Sequence, residues 1–389
     1  MPTKISFFNV GNGDMSLIKL ENTTTILIDC NIRKPDTGVR DVAKDLRELL
    51  AVDEKGRPYV DVMVLSHPDQ DHCRGLREHF HLGPITDYCN KEKGEKIIIK
   101  EMWSSPLVFR RSSRKNHTLC EDAQAWNAEA RRRVNLYKKK KFSAEGDRIL
   151  ILSEDENGKT DDILEIVAKE GRPITAIGGV EQNNFSALLL APLMASDSKE
   201  DELLSKNESS VIINYSLGAG RNAEAVRYLS GGDAEVAIWE KLWSRHKENR
   251  KSLQYNLLLA PHHCSWHSLS YDSWSKSAQP KVSKDARDAL AQALPGAVIV
   301  ASSDLIMDDD VDPPCIGAKN EYVSITNAAK GSFWNTSDHL SEAQQRPIIF
   351  EVVEGGLRHI TNNRVTTAGK SSGALGIQPL AHGDKKSCR

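Results

Sequence analysis

Short apolar runs rich in β-branched residues recur along the chain, separated by Gly, Asn, Asp and Pro. This is the pattern of buried strands joined through turns and helices. Ile5–Val10 and Met15–Leu20 flank Gly11-Asn12-Gly13-Asp14 and predict a hairpin, with Thr25–Asp29 as a third strand. Val39, Val42, Leu46, Leu49 and Leu50 share one face of a 3.6-residue period, so a helix is expected over 39–50. Val60–Leu65 and Ile97–Trp103 follow as strands. Beyond residue 160 the alternation resumes, with strands expected at Phe185–Pro192, Ser209–Ser216, Ala225–Leu229, Tyr255–Ala260, Pro295–Ser302 and Pro347–Glu354, and a helix at Glu235–His246. No repeat of 20–50 residues interrupts it. Gly, Ser, Lys and polar residues dominate 366–389, which is expected to be a disordered tail.

One segment breaks the pattern. Residues 104–141 hold eleven Lys/Arg against three Asp/Glu, a net of +8, inside a chain whose 52 basic and 54 acidic residues give −2. Ala123, Trp126, Ala130, Val134 and Tyr137 follow helical spacing, so 104–160 reads as a helical insert with a basic outer face. Two readings stand: an exposed helix without a partner, or an electrostatic platform for phosphates. On the second, Arg110, Arg111, Arg131, Arg132 and Arg133 would contact nucleic acid. Trp103, Trp126 and Tyr137 are then stacking faces or core.

Global composition adds exclusions. No apolar run approaches the roughly 18–20 residues of a membrane span, and the start lacks the charged and apolar regions of a signal peptide. The seven cysteines are odd in number and scattered, without a C-x-x-C pair. A cytoplasmic, reducing location with no membrane partner is expected.

Candidate chemistry sits where the apolar runs end. Val60–Leu65 leads into Ser66-His67-Pro68-Asp69-Gln70-Asp71-His72, two imidazoles and two carboxylates in one turn. That donor set suits Zn²⁺, Mn²⁺ or Fe²⁺ and is poor for Ca²⁺ or Mg²⁺, which prefer oxygen alone. A solvated polar turn is the alternative, disfavoured because burying such groups without a metal is costly. Two more strand ends repeat the plan, at Ser230-Gly231-Gly232-Asp233 and at Leu257–Pro261 followed by His262-His263. Three strand ends that each deliver ligand types predict one convergent centre.

These motifs, together with Phe8–Asp14, Ile28-Asp29, Gly75 and Ala260–Ser265, resemble those of the metallo-β-lactamase fold hydrolases. The resemblance is strongest to the hydrolase domain of bacterial DNA-uptake competence proteins, in the family order, from residue 5 to about 265. It implies an α/β fold, a four-layer αβ/βα sandwich over residues 1–365, with the basic insert at 104–160 and a variable C-terminal part at 266–346. It also implies two divalent ions, zinc or manganese, as cofactors. His67 and Asp69 would hold the first, Asp71 and His72 the second, and Asp233 both. One of His262 and His263 would complete the second site. Neighbours in an extended segment point opposite ways, so His262 is taken as the ligand and His263 as the catalytic group facing substrate. Asp29 would orient the loop, Asp14 would lie near the metals, and Asn207 would stand where the superfamily has a further histidine. His117 and His339 are outer candidates. Two departures stand out: Asp69 replaces the middle histidine of H-x-H-x-D-H, and Cys264 replaces a glycine, as a small neutral fill or, alternatively, a further ligand.

The implied chemistry is attack by a water held between two metals, with Asp71 or Asp233 accepting its proton and the spare histidine acting as acid. The same apparatus hydrolyses several bond types, so fold does not give substrate. The first expectation is a phosphodiesterase or nuclease acting on nucleic acid or cyclic nucleotides. The second is a hydrolase of small esters, lactones or amides, and the third a non-catalytic binding or scaffold protein with a structural metal.

Overall fold

The apolar runs pair into two sheets in the computed structural model, which describes residues 1–35, 40–88, 96–114, 117–194, 207–338 and 346–360. Val39, His339 and the 366–389 tail lie outside the described residues. The first sheet runs, edge to edge, Gly356–His359, Ile348–Val353, Lys4–Phe7, Ser16–Lys19, Thr25–Ile28, Pro58–Val64, Ile97–Ser104, Arg148–Leu152 and Val167–Ala168. The second runs Pro173–Ile174, Phe185–Ala191, Ile212–Ala219, Asn222–Ser230, Tyr255–Leu259, Ala293–Ala301 and Ser332–Asn335.

Both sheets bury apolar side chains on two faces. Ile5, Phe7, Ile26, Val62 and Val64 of the first meet Ala187, Ile213, Tyr215, Tyr228 and Leu257 of the second in a shared inner core. Ser16 Oγ and Tyr228 Oη, 3.0 Å apart, form a polar contact across it. On the outer face of the first sheet, Leu27, Val60 and Met102 pack under the helices Val42–Leu49 and Glu121–Lys140. On the outer face of the second, Leu258 and Ile299 pack under Val236–His246, Lys284–Leu290 and Ile316–Ala328. Helix, sheet, sheet, helix is the four-layer α/β sandwich expected. Each sheet is antiparallel on one side and parallel on the other. Thr25–Ile28, Pro58–Val64, Ile97–Ser104 and Arg148–Leu152 run parallel in the first. Asn222–Ser230, Tyr255–Leu259, Ala293–Ala301 and Ser332–Asn335 do so in the second. Parallel strands are buried on both faces and read as continuous apolar runs, which is why Val60–Leu65 and Leu257–Leu259 were legible.

The 104–160 segment is part of the sandwich rather than an insert on it. Its strand Arg148–Leu152 pairs with Ile97–Ser104, and Ala123, Trp126 and Ala130 lie in the outer core. Trp103 and Trp126 are fully buried, so neither offers a stacking face. The 266–346 part is equally integral. It adds two strands to the second sheet and reaches back to the glycine-rich hairpin, where Ser302 Oγ donates to the Gly13 carbonyl at 2.6 Å and Asp304 N to Asn12 Oδ1 at 2.9 Å. Among the described residues, no helix is long and apolar enough to cross a membrane.

Candidate metal centre

Parallel strands of both sheets end at one place. From the first sheet, Thr25–Ile28 leads into Asp29 and Pro58–Val64 into the His67–His72 turn; from the second, Asn222–Ser230 leads into Asp233 and Tyr255–Leu259 into His262-His263. The glycine-rich hairpin closes the group. Asp14 N donates to the Asp71 carbonyl at 3.1 Å. Gly13, at φ +156°, lies so close that a Cβ there would fall 2.0 Å from Asn31 Nδ2 and 2.7 Å from the Asp71 carbonyl oxygen. Only glycine permits this approach.

Asp233 stands at the middle, 3% exposed, and addresses a different group with each oxygen. Oδ1 lies 2.8 Å from His72 Nε2 and 3.5 Å from His263 Nε2, and His263 Nε2 is 3.3 Å from Asp71 Oδ2. Oδ2 lies 3.9 Å from His67 Nε2 and 3.8 Å from His262 Nε2, with Asp69 Oδ2 3.3 Å from His67 Nε2. One donor atom each from Asp71, His72, Asp233 and His263 can be chosen so that all lie within 4.8 Å of one another. The imidazoles of His67, His72 and His263 are buried, whereas the Asp69 and Asp71 side chains are 34% and 32% exposed and form the mouth.

Two of the buried imidazoles are held from behind by a hydrogen-bond partner, and the third faces a carboxylate. His72 Nδ1 lies 2.9 Å from Asp29 Oδ2, His67 Nδ1 3.3 Å from Ser210 Oγ, and His263 Nδ1 3.4 Å from Asp14 Oδ1. Asp29 also accepts from Ser66 N at 2.7 Å and from Ser66 Oγ, so it is fully engaged in orientation. The grouping of Asp14 and Asp29 with His72 is this supporting layer. A carboxylate behind a histidine is the usual device for fixing a ligating tautomer.

The electrostatics are those of a cage holding positive charge. Burial alone would raise Asp233, but His72, His262 and His263 hold its carboxyl well below the usual range. Burial would lower His263, yet Asp233 and Asp14 push it up to about 10. His72 too is raised well above the usual imidazole range, by Asp233 and Asp29 against burial. Asp71 is held low against burial by its close contact with His263 and by the charge of His72. Asp29 is raised, because burial outweighs the pull of His72.

The fit to a divalent cation rests on orphaned atoms. Nε2 of His67, His72 and His263 and Oδ1 of Asp233 are buried without a hydrogen-bond partner, although they point at one another. Such atoms are rare in native interiors, and imidazole with carboxylate is a donor set for Zn²⁺ or Mn²⁺.

The histidine pair requires a correction. The segment is not extended: His262, His263 and Cys264 sit at φ +50°, +53° and +68°, three consecutive non-glycine residues in the left-handed region. Each costs about 1–3 kcal/mol and persists where surrounding structure imposes it, commonly at functional sites. This turn sends His263 into the group with Asp71 and His72. His262, 17% exposed, stands on the His67 side with Nδ1 3.9 Å from Glu235 Oε1. The placement is therefore the reverse of the one expected: His263, not His262, stands with Asp71 and His72. Asn207 is one step further out, donating to Glu235 Oε1 at 2.7 Å. Ser210 and Glu235 were missed; serine carries no sequence signal, while Glu235 lay only two residues past Asp233. Cys264 is buried, and burial pushes its thiol up.

The arginines expected at a nucleic-acid surface need a second correction. Arg111 and Arg133 are buried; Arg111 donates to the Leu193 carbonyl at 2.9 Å, and Arg133 to Glu129 at 2.7 Å and the Ile99 carbonyl at 3.0 Å. Arg110 is held by Asp155, and Arg132 by Glu129 and Asp147. Of the five, Arg131 alone is exposed, with Nε 3.3 Å from Asn127 Oδ1. His117 has its backbone N bonded to the Ser112 carbonyl at 3.2 Å.

No family model matches the chain, and no curated protein does. Among solved structures it is similar to that of Igni18, described as a novel metallo hydrolase from the hyperthermophilic archaeon Ignicoccus hospitalis KIN4/I. The two share 12% identity over 90% of this chain and 99% of that one, with a TM-score of 0.38. A likeness at that level decides neither fold nor chemistry here; both rest on the geometry above.

Proposed function

We propose that the protein is a metal-dependent hydrolase of phosphodiesters, of the metallo-β-lactamase type, acting on nucleic acid or on linear or cyclic nucleotides. The observation that carries this reading is the placement of Asp233, one carboxylate oxygen facing His72 and His263 and the other facing His67 and His262. Asp71, His72, His263 and Asp233 would hold one zinc or manganese ion, and His67, Asp69 and Asp233 a second. When bound, such a pair supplies Lewis-acid activation of water and neutralises charge on phosphoryl oxygens.

The chain's own residues do the rest. Asp29 and Ser210 fix the rings of His72 and His67, and Asp14 faces that of His263, so little reorganisation is needed as charge develops. Asp71, at the mouth and held anionic by His263 and His72, accepts the proton of the attacking water at Oδ2. His262, less buried and backed by Glu235, donates to the leaving oxygen from Nε2. The exposed cations Arg131, Lys139 and Lys140 support a phosphate substrate over a neutral ester.

The test is a panel run on metal-loaded protein: bis-p-nitrophenyl phosphate, cyclic dinucleotides, and single- and double-stranded DNA and RNA, beside p-nitrophenyl esters and lactones. Turnover of phosphodiesters, lost in Asp71→Ala, is expected. Turnover confined to the neutral esters would overturn the substrate class.

A further inference from the structure

The turn that carries Asp69, Asp71 and His72 ends on Cys73, whose Sγ lies 3.5 Å from Sγ of Cys120. The two cysteines are far apart in sequence and sit on different elements. Cys73 closes the short helix Gln70–Cys73, and Cys120 is the residue preceding the helix Glu121–Lys140. Neither the centre nor the hydrolysis requires this contact. Cys73 is buried, and its thiol donates to the Asp69 carbonyl at 3.1 Å. Cys120 is only partly buried, and its sulfur accepts from Ala123 N at 3.4 Å at the start of the helix. The turn and the helix are also joined through Asp122, which accepts from Gly75 N and Arg77 N at 3.0 Å each.

We propose that Cys120 and Cys73 are a peroxide-oxidisable pair whose disulfide ties the ligand-bearing turn to the helix and distorts it. The Cys120 sulfur, as thiolate, attacks the O–O bond of hydrogen peroxide, becoming a sulfenic acid and releasing hydroxide. Cys73 sulfur then attacks Cys120 Sγ, its proton leaving with the expelled hydroxide as water. Two thiols and one peroxide give one disulfide and two waters.

The division of labour follows from the surroundings. The contact with Cys73 Sγ, with backbone N–H groups of Ala123 and Asp122, outweighs burial and brings the Cys120 thiol down to about 6. A partly exposed thiolate beside a buried resolving thiol is the arrangement of redox-sensing cysteines. A disulfide spans about 2.05 Å, so the sulfurs must close by roughly 1.5 Å. That movement takes Cys73 Sγ from the Asp69 carbonyl and pulls on the peptide adjoining His72. The effect on the centre rests on the metal-binding reading; the disulfide does not.

The experiment uses the full chain, reduced, zinc-loaded and exposed to hydrogen peroxide, then alkylated and mapped as peptides without reduction. A linkage between the Cys73 and Cys120 peptides is expected, reversible by dithiothreitol and absent from Cys120→Ser, whose hydroxyl preserves a helix-capping acceptor. Zinc release on oxidation, read with a chromogenic chelator, should be at least tenfold greater in wild type than in Cys120→Ser. Overoxidation of Cys120 without a link to Cys73, or no reaction at either, overturns the pair. A link that forms with zinc retained overturns its coupling to the centre. Protein that takes up no zinc yet forms the link refutes the metal reading alone.

Discussion

The His67–His72 turn and the helical segment at 104–141 are both dense in ionisable groups, and they dispose of them in opposite ways. In the segment, cations are matched locally: Arg110 with Asp155, Arg132 with Glu129 and Asp147, Arg133 with Glu129, Lys138 with Asp162. At the turn, buried nitrogens and a carboxylate oxygen face one another without hydrogen bonds, His72 held from behind by Asp29, His67 by Ser210, and His263 facing Asp14. Net charge counted along a sequence says nothing about which of these has happened. What separates a functional cluster from a structural one is polar capacity left unmet inside a rigid support. The segment serves the turn instead, bracing it through Asp122, Gly75 and Arg77.

The contrast can be broken most forcefully at its centre. Asp233→Ala removes the residue shared by both groups, and is expected to lower metal affinity and phosphodiester turnover by more than the roughly 10–100-fold that supporting partners cost. Metal analysis and kinetics check it. Next, Asp29→Asn and Asp14→Asn should each fall within that 10–100-fold range in metal affinity by competition with a chelator, with the fold intact.

Glu129→Gln tests the other side. It leaves the buried Arg133 short of its counter-ion, and a loss of about 3–5 kcal/mol in denaturant unfolding is expected, with metal stoichiometry unchanged. Burial would raise Glu129, but Arg132 and Arg133 hold its carboxyl below the usual range. A depressed carboxylate contributes its full share of stability above the ordinary glutamate range and loses it as pH falls through the folded value. The difference between Glu129→Gln and wild type should therefore shrink in acid below about pH 4. The smallest effect is expected from Arg131→Glu: a KM for polynucleotide a few-fold higher at low salt, fading as salt rises, with small phosphodiesters unaffected.

Much of this was legible because parallel strands announce themselves. Val60–Leu65 and Tyr255–Ala260 are nearly continuous apolar runs ending in ligand residues, so their convergence followed from fold class. The choice between His262 and His263 did not, because it turns on three left-handed residues whose side chains do not favour that conformation. Arg133 misled for a related reason. Its i,i+4 partner Glu129 was visible, but not that the pair is buried against the Ile99 and Arg148 carbonyls. Ser210 was invisible, since what makes it matter is contact with His67 across 143 positions.

If the buried histidines and Asp233 hold metal, the folded chain takes it up. Titration of metal-free protein with zinc and manganese, followed by calorimetry and by metal content after gel filtration, tests it most directly. At least one tightly held equivalent per chain, with a second weaker one, is predicted for wild type, and loss of both for Asp233→Ala. Folded wild-type protein that takes up neither metal, or Asp233→Ala that keeps full stoichiometry, would contradict it.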